Sequence, residues 1–297
     1  MKIGLIDLGS NTIKLEIFEI CGTNFTSVFY DASYAYIITH IECRRLNSAG
    51  VKKIAELLKH YQLLSQNFCC DKLICFSTAS LRQIDNQQEV LDSIYDKCGI
   101  KIIPITGEEE AYYNYLSMCR AAGDHFLGGD MGGGSMQLFY ASNGSLQIEK
   151  SLPLGALKLY RQFVSGEFPS AGEAGAIKDF VKAQISYAGF SERERSDVLY
   201  FMGGSTRTIS ALFPGRKLVF SRMELESLLN DFLKDLSKAR VRIENVCPER
   251  LQTILPAMAA LLAVCEFFHV GQVHSTQSSV REGYLIDLLN RKECIGT

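Results

Sequence analysis

Twice in this sequence an acid stands just ahead of a glycine turn lined with short polar side chains. Asp7 precedes Leu8-Gly9-Ser10-Asn11, and Asp130 precedes Met131-Gly132-Gly133-Gly134-Ser135. Glycines leave backbone N–H groups uncovered, and turns of this kind make concave sites for anions, above all where a helix begins behind them. A third turn, Gly203-Gly204-Ser205-Thr206-Arg207, has the same make-up without the acid. Ser10, Asn11, Ser135, Ser205 and Thr206 add short donors, so the three turns together predict a phosphate site. An acid beside phosphate can hold hard Mg²⁺ and orient a water for in-line attack. Asp7, Asp130 and one of Glu108, Glu109 and Glu110 are the candidates. The glutamate triplet has a competing use, since acids in the first turn of a helix complement its dipole. Arg82, just after the polar Ser77-Thr78-Ala79-Ser80 turn, and Arg207, just after Gly203-Gly204, supply the guanidinium forks that hold phosphate oxygens two at a time. Lys158, Arg161 and Arg281 read equally well as solvated surface.

Other chemistries fail on spacing. There is no G-x-x-x-x-G-K-[ST], no G-x-G-x-x-G and no G-x-S-x-G, which removes P-loop, dinucleotide-binding and serine-hydrolase readings. His40, His60, His125, His269 and His274 form no H-E-x-x-H pair, so a zinc hydrolase is not expected.

The elements that must position these residues can be read from periodicity. An apolar run ends at Asp7, and after the turn Ile13, Leu15 and Ile17 alternate with polar residues at strand spacing, which predicts a hairpin with an acid at its mouth. Strand-like runs follow at Phe25–Tyr30 and Tyr34–Thr39. A helix fits Ser48–Gln66 with Asn47 or Ser48 as its cap. Then come a strand at Lys72–Ser77, a helix after Asn86 closed by Gly99, a strand at Lys101–Thr106, and a helix from near Glu108 to the Ala121-Ala122-Gly123 stop. The hairpin then recurs: a strand His125–Asp130, a turn Gly132–Ser135 and a strand Met136–Tyr140. Asp7 and Asp130 hold the same place in the two hairpins, so the chain looks duplicated, with domains expected at 1–123 and 124–297. The second half continues with a strand-like Ser151–Gly155, helices at Ala156–Phe163 and Gly172–Ala188, and a strand Val198–Met202 that runs into the third glycine turn. Helices are expected at Arg222–Ser237, Pro248–Phe268, where Pro256 marks a kink or a late start, and Val280–Asn290. The last of these could pack back on the first domain. Strands alternating with helices make this an α/β protein.

Composition sets the limits. The 297 residues exceed what one core usually serves. With 31 basic and 33 acidic side chains the net charge is −2, so no global positive field points to nucleic acid. Ten cysteines are scattered without a C-x-x-C, and Asp7 interrupts what a signal peptide would need as an apolar core. Reduced thiols in a cytoplasmic protein are therefore expected. The longest apolar run, Ile254–Cys265, is shorter than the ~18 to 20 residues that span a bilayer, so no membrane partner is expected. Long apolar C-terminal helices could offer a homodimer surface.

Taken in order, IDLGSNT (6–12), STASLRQIDN (77–86), ITGEEEA (105–111), GDMGGGSMQL (129–138), SLPLGALKL (151–159), GGSTRTISAL (203–212), ERLQTILPAMAAL (249–261) and VREGYLIDLL (280–289) resemble the exopolyphosphatase and guanosine pentaphosphate phosphohydrolase family. The resemblance covers nearly the whole chain. It implies two ribonuclease-H-like domains of the actin, sugar-kinase and heat-shock-chaperone superfold with a cleft between them. It also implies Mg²⁺-aided hydrolytic release of terminal phosphate from inorganic polyphosphate or pppGpp. By motif position Glu109 matches the catalytic glutamate. Asp130 matches the metal-site aspartate, and Ser10, Asn11, Arg82, Gly132, Gly133 and Ser135 match phosphate-loop positions; the turn chemistry above adds Asp7 and Glu109 as metal candidates and Gly134, Gly204, Ser205 and Arg207 as phosphate-binding ones. One position departs: where the family turn ends in Ser-Thr-Glu, this chain has Ser135-Met136-Gln137. Gln137 brings a carbonyl oxygen but no charge. That departure motivates the alternative of a weak or inactive sensor that binds the same ligands.

Overall fold

The computed structural model describes residues 1–82 and 84–291. Two compact units divide it, Met1–Glu110 with residues 284–291 in one and Ala111–Gly283 in the other.

In the first unit, β1 (Lys2–Leu8), β2 (Thr12–Cys21) and β3 (Asn24–Tyr34) form an antiparallel meander. It is followed by a two-stranded hairpin of β4 (Ile41–Glu42) and β5 (Arg45–Leu46), then α1 (Ser48–Asn67), β6 (Lys72–Ser77), α2 (Ala79–Arg82), α3 (Gln87–Cys98), β7 (Ile102–Pro104) and α4 (Gly107–Ala122). The sheet runs β3-β2-β1-β6-β7, with β6 and β7 parallel to β1. Ile13, Leu15 and Ile17 of β2 alternate inward and are buried against Val51, Ile54, Leu58 and Tyr61, the apolar stripe of α1. Asn47 caps α1 by accepting from Gly50 N at 2.9 Å. Gly99 ends α3 in the left-handed region at φ 70°, where glycine carries no Cβ penalty.

The second unit repeats the plan. β8 (Phe126–Met131), β9 (Met136–Ser142) and β10 (Ser145–Leu152) form the meander. Then follow α5 (Ala156–Phe163), α6 (Ala171–Tyr187), β11 (Val198–Met202), α7 (Gly204–Leu212), β12 (Val219–Ser221), α8 (Arg222–Lys234), α9 (Leu236–Val246), α10 (Ile254–Phe267), β13 (Gln272–Ser275) and α11 (Val280–Asn290). The sheet order β10-β9-β8-β11-β13-β12 places three antiparallel strands beside the parallel β11 and β13, as in the first unit, with β12 added antiparallel at the edge. Residues Ile254–Cys265 of α10 are buried all round, as a helix without a polar face must be. Pro256 is the third residue of that helix and so marks its late start, where a missing N–H costs nothing.

Several expectations need correction. β3 runs on to Tyr34, and residues 37–40 form a single 3₁₀ turn instead of a second strand. The strand expected at Ser151–Gly155 is instead the end of β10, which stops at Leu152. The helix expected over Arg222–Ser237 stops at Lys234, and Asp235 caps the unforeseen α9 by accepting from Lys238 N at 2.9 Å. β12 and β13, three and four residues long, are too short to be recognised by alternation. The division also falls inside α4, after Glu110, where the sequence suggested Gly123, because Tyr115 and Met118 pack with Phe126, Phe139 and Met202. In α11, Tyr284 counts with the first unit, where its ring stacks on Phe76 at 4.9 Å.

Candidate active site

In the first unit Asp7 lies at the end of β1, 3% exposed, and its register partner on β2 is Lys14. Lys14 Nζ stands 3.4 Å from Asp7 Oδ2, so this acid already has a cation from its own hairpin. Gly9 N donates to Thr12 O at 3.1 Å to close the turn. The carbonyl of Ser10 accepts from Ile38 N, and that of Asn11 from Ala35 N and Tyr36 N. Ser80 Oγ, at the start of α2, donates to Leu8 O at 3.1 Å and ties the hairpin mouth to the Ser77–Ser80 turn. The side chain of Asn11 presents a buried Oδ1 with no hydrogen-bond partner among the described residues.

Arg82 and the glutamate triplet resolve into separate roles. Glu109 is exposed and closes a capping box on α4: Thr106 N donates to Glu109 Oε2 at 2.7 Å, and Glu109 N donates to Thr106 Oγ1 at 3.0 Å. Glu110 is buried at 6% exposure. Both terminal nitrogens of Arg82 donate to Glu110 Oε2 at 3.1 Å, and Nη1 also reaches Ile105 O at 3.1 Å. Arg82 therefore orients a buried carboxylate, where the sequence offered it as a phosphate fork. Glu109, the match by motif position, spends its carboxylate on the helix cap, and nothing in the spacing of the triplet shows which side chain Arg82 reaches.

In the second unit the glycine triplet is packed on its carbonyl side. Ala156 N donates to Gly132 O at 3.0 Å, and both Leu157 N and Lys158 N donate to Gly133 O at 3.1 Å. The turn thereby caps α5, and Gly155 is required because a Cβ there would lie 2.3 Å from the Gly133 carbonyl carbon. Gly132 N donates to Ser135 O at 3.0 Å within the turn. Asp130 pairs in register with Gln137, as Asp7 does with Lys14. Gln137 is 1% exposed, and its Nε2 donates to Ser135 Oγ at 2.9 Å and Ser151 Oγ at 3.0 Å. A glutamate could not make both donations, so the departure at this position is built into a hydroxyl network.

The third turn touches the second directly. Gly203, at φ 100° and ψ 164°, packs so closely that a Cβ there would lie 2.2 Å from Asp130 Oδ1. It opens α7, whose N-terminus has no side-chain cap. Arg250, which the sequence did not single out, donates from Nη1 to Ser205 Oγ at 3.1 Å and packs over Gly204. Its only advance signal was its place inside the ERLQTILPAMAAL segment. Arg207 sits half-buried in the first turn of α7. Among the described residues no three His, Cys, Asp or Glu side chains gather as a metal cluster. Among the described residues nine cysteines are free thiols, and burial pushes Cys75 well up and Cys265 up to about 12. No described helix is long and apolar enough to cross a membrane.

Residues 39–292 match the Ppx/GppA phosphatase family. The chain belongs to that family. Among relatives of the Ppx/GppA phosphatases, exopolyphosphatase 1 of Mycobacterium leprae is 21% identical over 312 aligned residues that cover 100% of this chain and 92% of that one. The guanosine-5'-triphosphate,3'-diphosphate pyrophosphatase of Aeromonas salmonicida is 26% identical over 97% of this chain, which spans 60% of the relative's length. The crystal structure of the Aquifex aeolicus Ppx/GppA family member superposes with a TM-score of 0.82 at 22% identity over 98% of both chains. An exopolyphosphatase from Cytophaga hutchinsonii gives 0.86 at 18% identity, again over 98% of both. These structures establish the two-domain α/β fold of the actin-like superfold. Family membership brings the reaction class, the release of phosphate by hydrolysis of a phosphoanhydride.

Proposed function

We propose that this phosphatase removes the terminal phosphate of inorganic polyphosphate or pppGpp with a divalent cation, Mg²⁺ by preference, and that Glu110 is its catalytic carboxylate in place of Glu109. The observation that carries the reading is the contrast inside the triplet. Glu109 is spent on capping α4, whereas Glu110 is buried and held by both terminal nitrogens of Arg82. A general base must keep one orientation toward its water, and a fixed, desolvated carboxylate does so.

The cation belongs with Asp130. Mg²⁺ keeps several waters and is held by one or two carboxylates together with the phosphates of its ligand, so a single carboxylate at a phosphate turn fits it without a cluster. Asp7 has Lys14 instead. When bound, the cation would neutralise charge developing on the transferred phosphoryl group. Ser135 and the Gly132–Gly134 turn, with Gly204, Ser205 and Arg207 at the start of α7, are assigned to phosphate oxygens, and Arg250 joins them on its contact with Ser205. Ser10 and Asn11 are assigned the same role in the first unit, Asn11 through its amide nitrogen, the donor that a phosphate oxygen needs. The site as read is that of a cytoplasmic enzyme of phosphate metabolism.

The test is phosphate release from long-chain polyphosphate and from pppGpp, with and without Mg²⁺. Glu110→Gln should lower turnover by about 10² to 10⁴. Glu109→Gln should leave it within about twofold, because glutamine also closes a capping box. Wild-type turnover in Glu110→Gln would refute the assignment, and a wild-type enzyme inert toward both substrates at every Mg²⁺ concentration would refute the substrate class.

A further inference from the structure

Asn114 lies in the middle of α4 with a relative exposure of 0%, and neither its Oδ1 nor its Nδ2 has a hydrogen-bond partner among the described residues. Burying an amide without partners costs about 1–3 kcal/mol, so such a group is kept where something polar meets it. Its place over the sheet follows from elementary geometry. The three residues 123–125 return the chain from α4 to β8, so the helix lies antiparallel to the strand. Helices rise ~1.5 Å per residue and strands ~3.3 Å, so eight residues of helix match four of strand. Ala122 then lies by Phe126, Met118 by Gly128 and Asn114 by Asp130. The middle pair is observed: a Cβ built at Gly128 would stand 3.0 Å from Met118 Sδ. Asn114 shares the face of Met118 one turn earlier, and Asp130 shares the face of Gly128 two residues later.

A second orphan lies in the same row. Asp130 pairs with Met202, and Ser275 with Phe201, so Thr276 continues the line Asp130, Met202, Thr276 along the carboxyl ends of three parallel strands. Thr276 Oγ1 is buried and has no hydrogen-bond partner among the described residues, while its N–H donates to Phe201 O at 3.0 Å. Ser278 Oγ donates to Ser117 O at 3.2 Å and holds the segment after β13 against α4.

We infer that Asn114 and Thr276 supply the neutral oxygens that complete the divalent-cation site on Asp130, directly or through the cation's waters. The inference rests on the assignment of the cation to Asp130. Hard cations accept amide and hydroxyl oxygens, and at Gln137, the register partner of Asp130, the amide nitrogen is fixed on two hydroxyls. Asn114 thus offers at the α4 face an oxygen that the hairpin does not supply as charge.

Calorimetric titration of Mn²⁺ into the full chain without substrate tests this. Asn114→Leu should weaken Mn²⁺ binding about tenfold or more, in the range expected when groups supporting a metal are lost, while melting at the wild-type temperature or above because an unpaired amide is gone. Thr276→Val should weaken binding in the same direction, and Asn114→Asp should tighten it. Asp130→Asn should abolish it. Loss in Asp130→Asn with wild-type affinity in both Asn114→Leu and Thr276→Val would overturn this inference alone. Wild-type affinity in all three would overturn the placement of the cation on Asp130 as well.

Discussion

Gly203→Ala probes the contact on which the second unit's site turns. The residue sits at φ 100° and ψ 164°, a region open essentially to glycine alone, and an alanine held there costs about 1–3 kcal/mol. Its Cβ would stand 2.2 Å from Asp130 Oδ1, so the carboxylate or the turn must yield by about 1 Å to regain an ordinary contact. A displacement of about 1 Å at a positioning group can lower turnover about 10²-fold. At about 2–4 °C per kcal/mol for a unit of this size, the melting temperature should fall by about 2–12 °C. Scanning calorimetry and phosphate release on the same preparation read both effects. Gly204→Ala is the control. Its Cβ meets the guanidinium end of Arg250, 2.0 Å from Nη2, and a flexible side chain can swing away, so its melting should fall less. A Gly203→Ala enzyme with wild-type melting and wild-type turnover would show that Gly203 does not set the position of Asp130.

Other outcomes follow from the same contacts. Arg82→Ala leaves Glu110 buried without its guanidinium, and because Arg82 itself is about a fifth exposed the loss should be about 2–4 kcal/mol, toward the low end for a buried pair; an unchanged denaturation midpoint would remove Arg82 as the group that makes burial of Glu110 tolerable. Glu173, held down to about 2 by the Ser170 and Ser165 backbone N–H groups, and Glu224, held down to about 2 by Lys217 and Ser221, start from an ordinary value of 4.5. Depressed carboxyls lend stability above their unfolded pKa and lose it as pH falls toward the folded one, so melting should decline between about pH 4.5 and 2, and Glu173→Gln should flatten that decline. Iodoacetamide should modify Cys21, Cys43 and Cys69, which are exposed, and spare Cys75 and Cys265 until the chain unfolds; mass spectrometry showing early labelling of Cys265 would contradict the burial that raises its thiol.

Much of this was legible in the sequence because periodicity and turn chemistry are local. The two Asp hairpins, the α1 stripe with its Asn47 cap and the Gly99 stop could all be read from neighbours along the chain. What escaped depended on partners distant in sequence. β12 and β13 are three and four residues long, too short to show alternation, and each is defined by the strand beside it. The choice between Glu109 and Glu110 depends on Arg82, nearly thirty residues away. Arg250 reaches Ser205 across forty-five positions, a distance over which no spacing rule operates.

On the proposed assignment, the residue facing each acid accounts for the different use of the two. Both hairpins place an acid at the same register position and face it with a residue at the same interval, Lys14 in one and Gln137 in the other. A lysine neutralises Asp7 from within the chain, at a cost in freedom already met on folding. Gln137 cannot neutralise Asp130, and its amide is directed to Ser135 and Ser151. On the proposed assignment, one hairpin carries an acid paired with a lysine and the other the acid that takes the cation. Exchanging the pair tests the point: Gln137→Lys should make the second unit's acid like the first, lowering Mn²⁺ affinity at least tenfold with its fold retained. Undiminished Mn²⁺ binding in that variant would mean that the residue facing the acid does not decide which hairpin takes the cation.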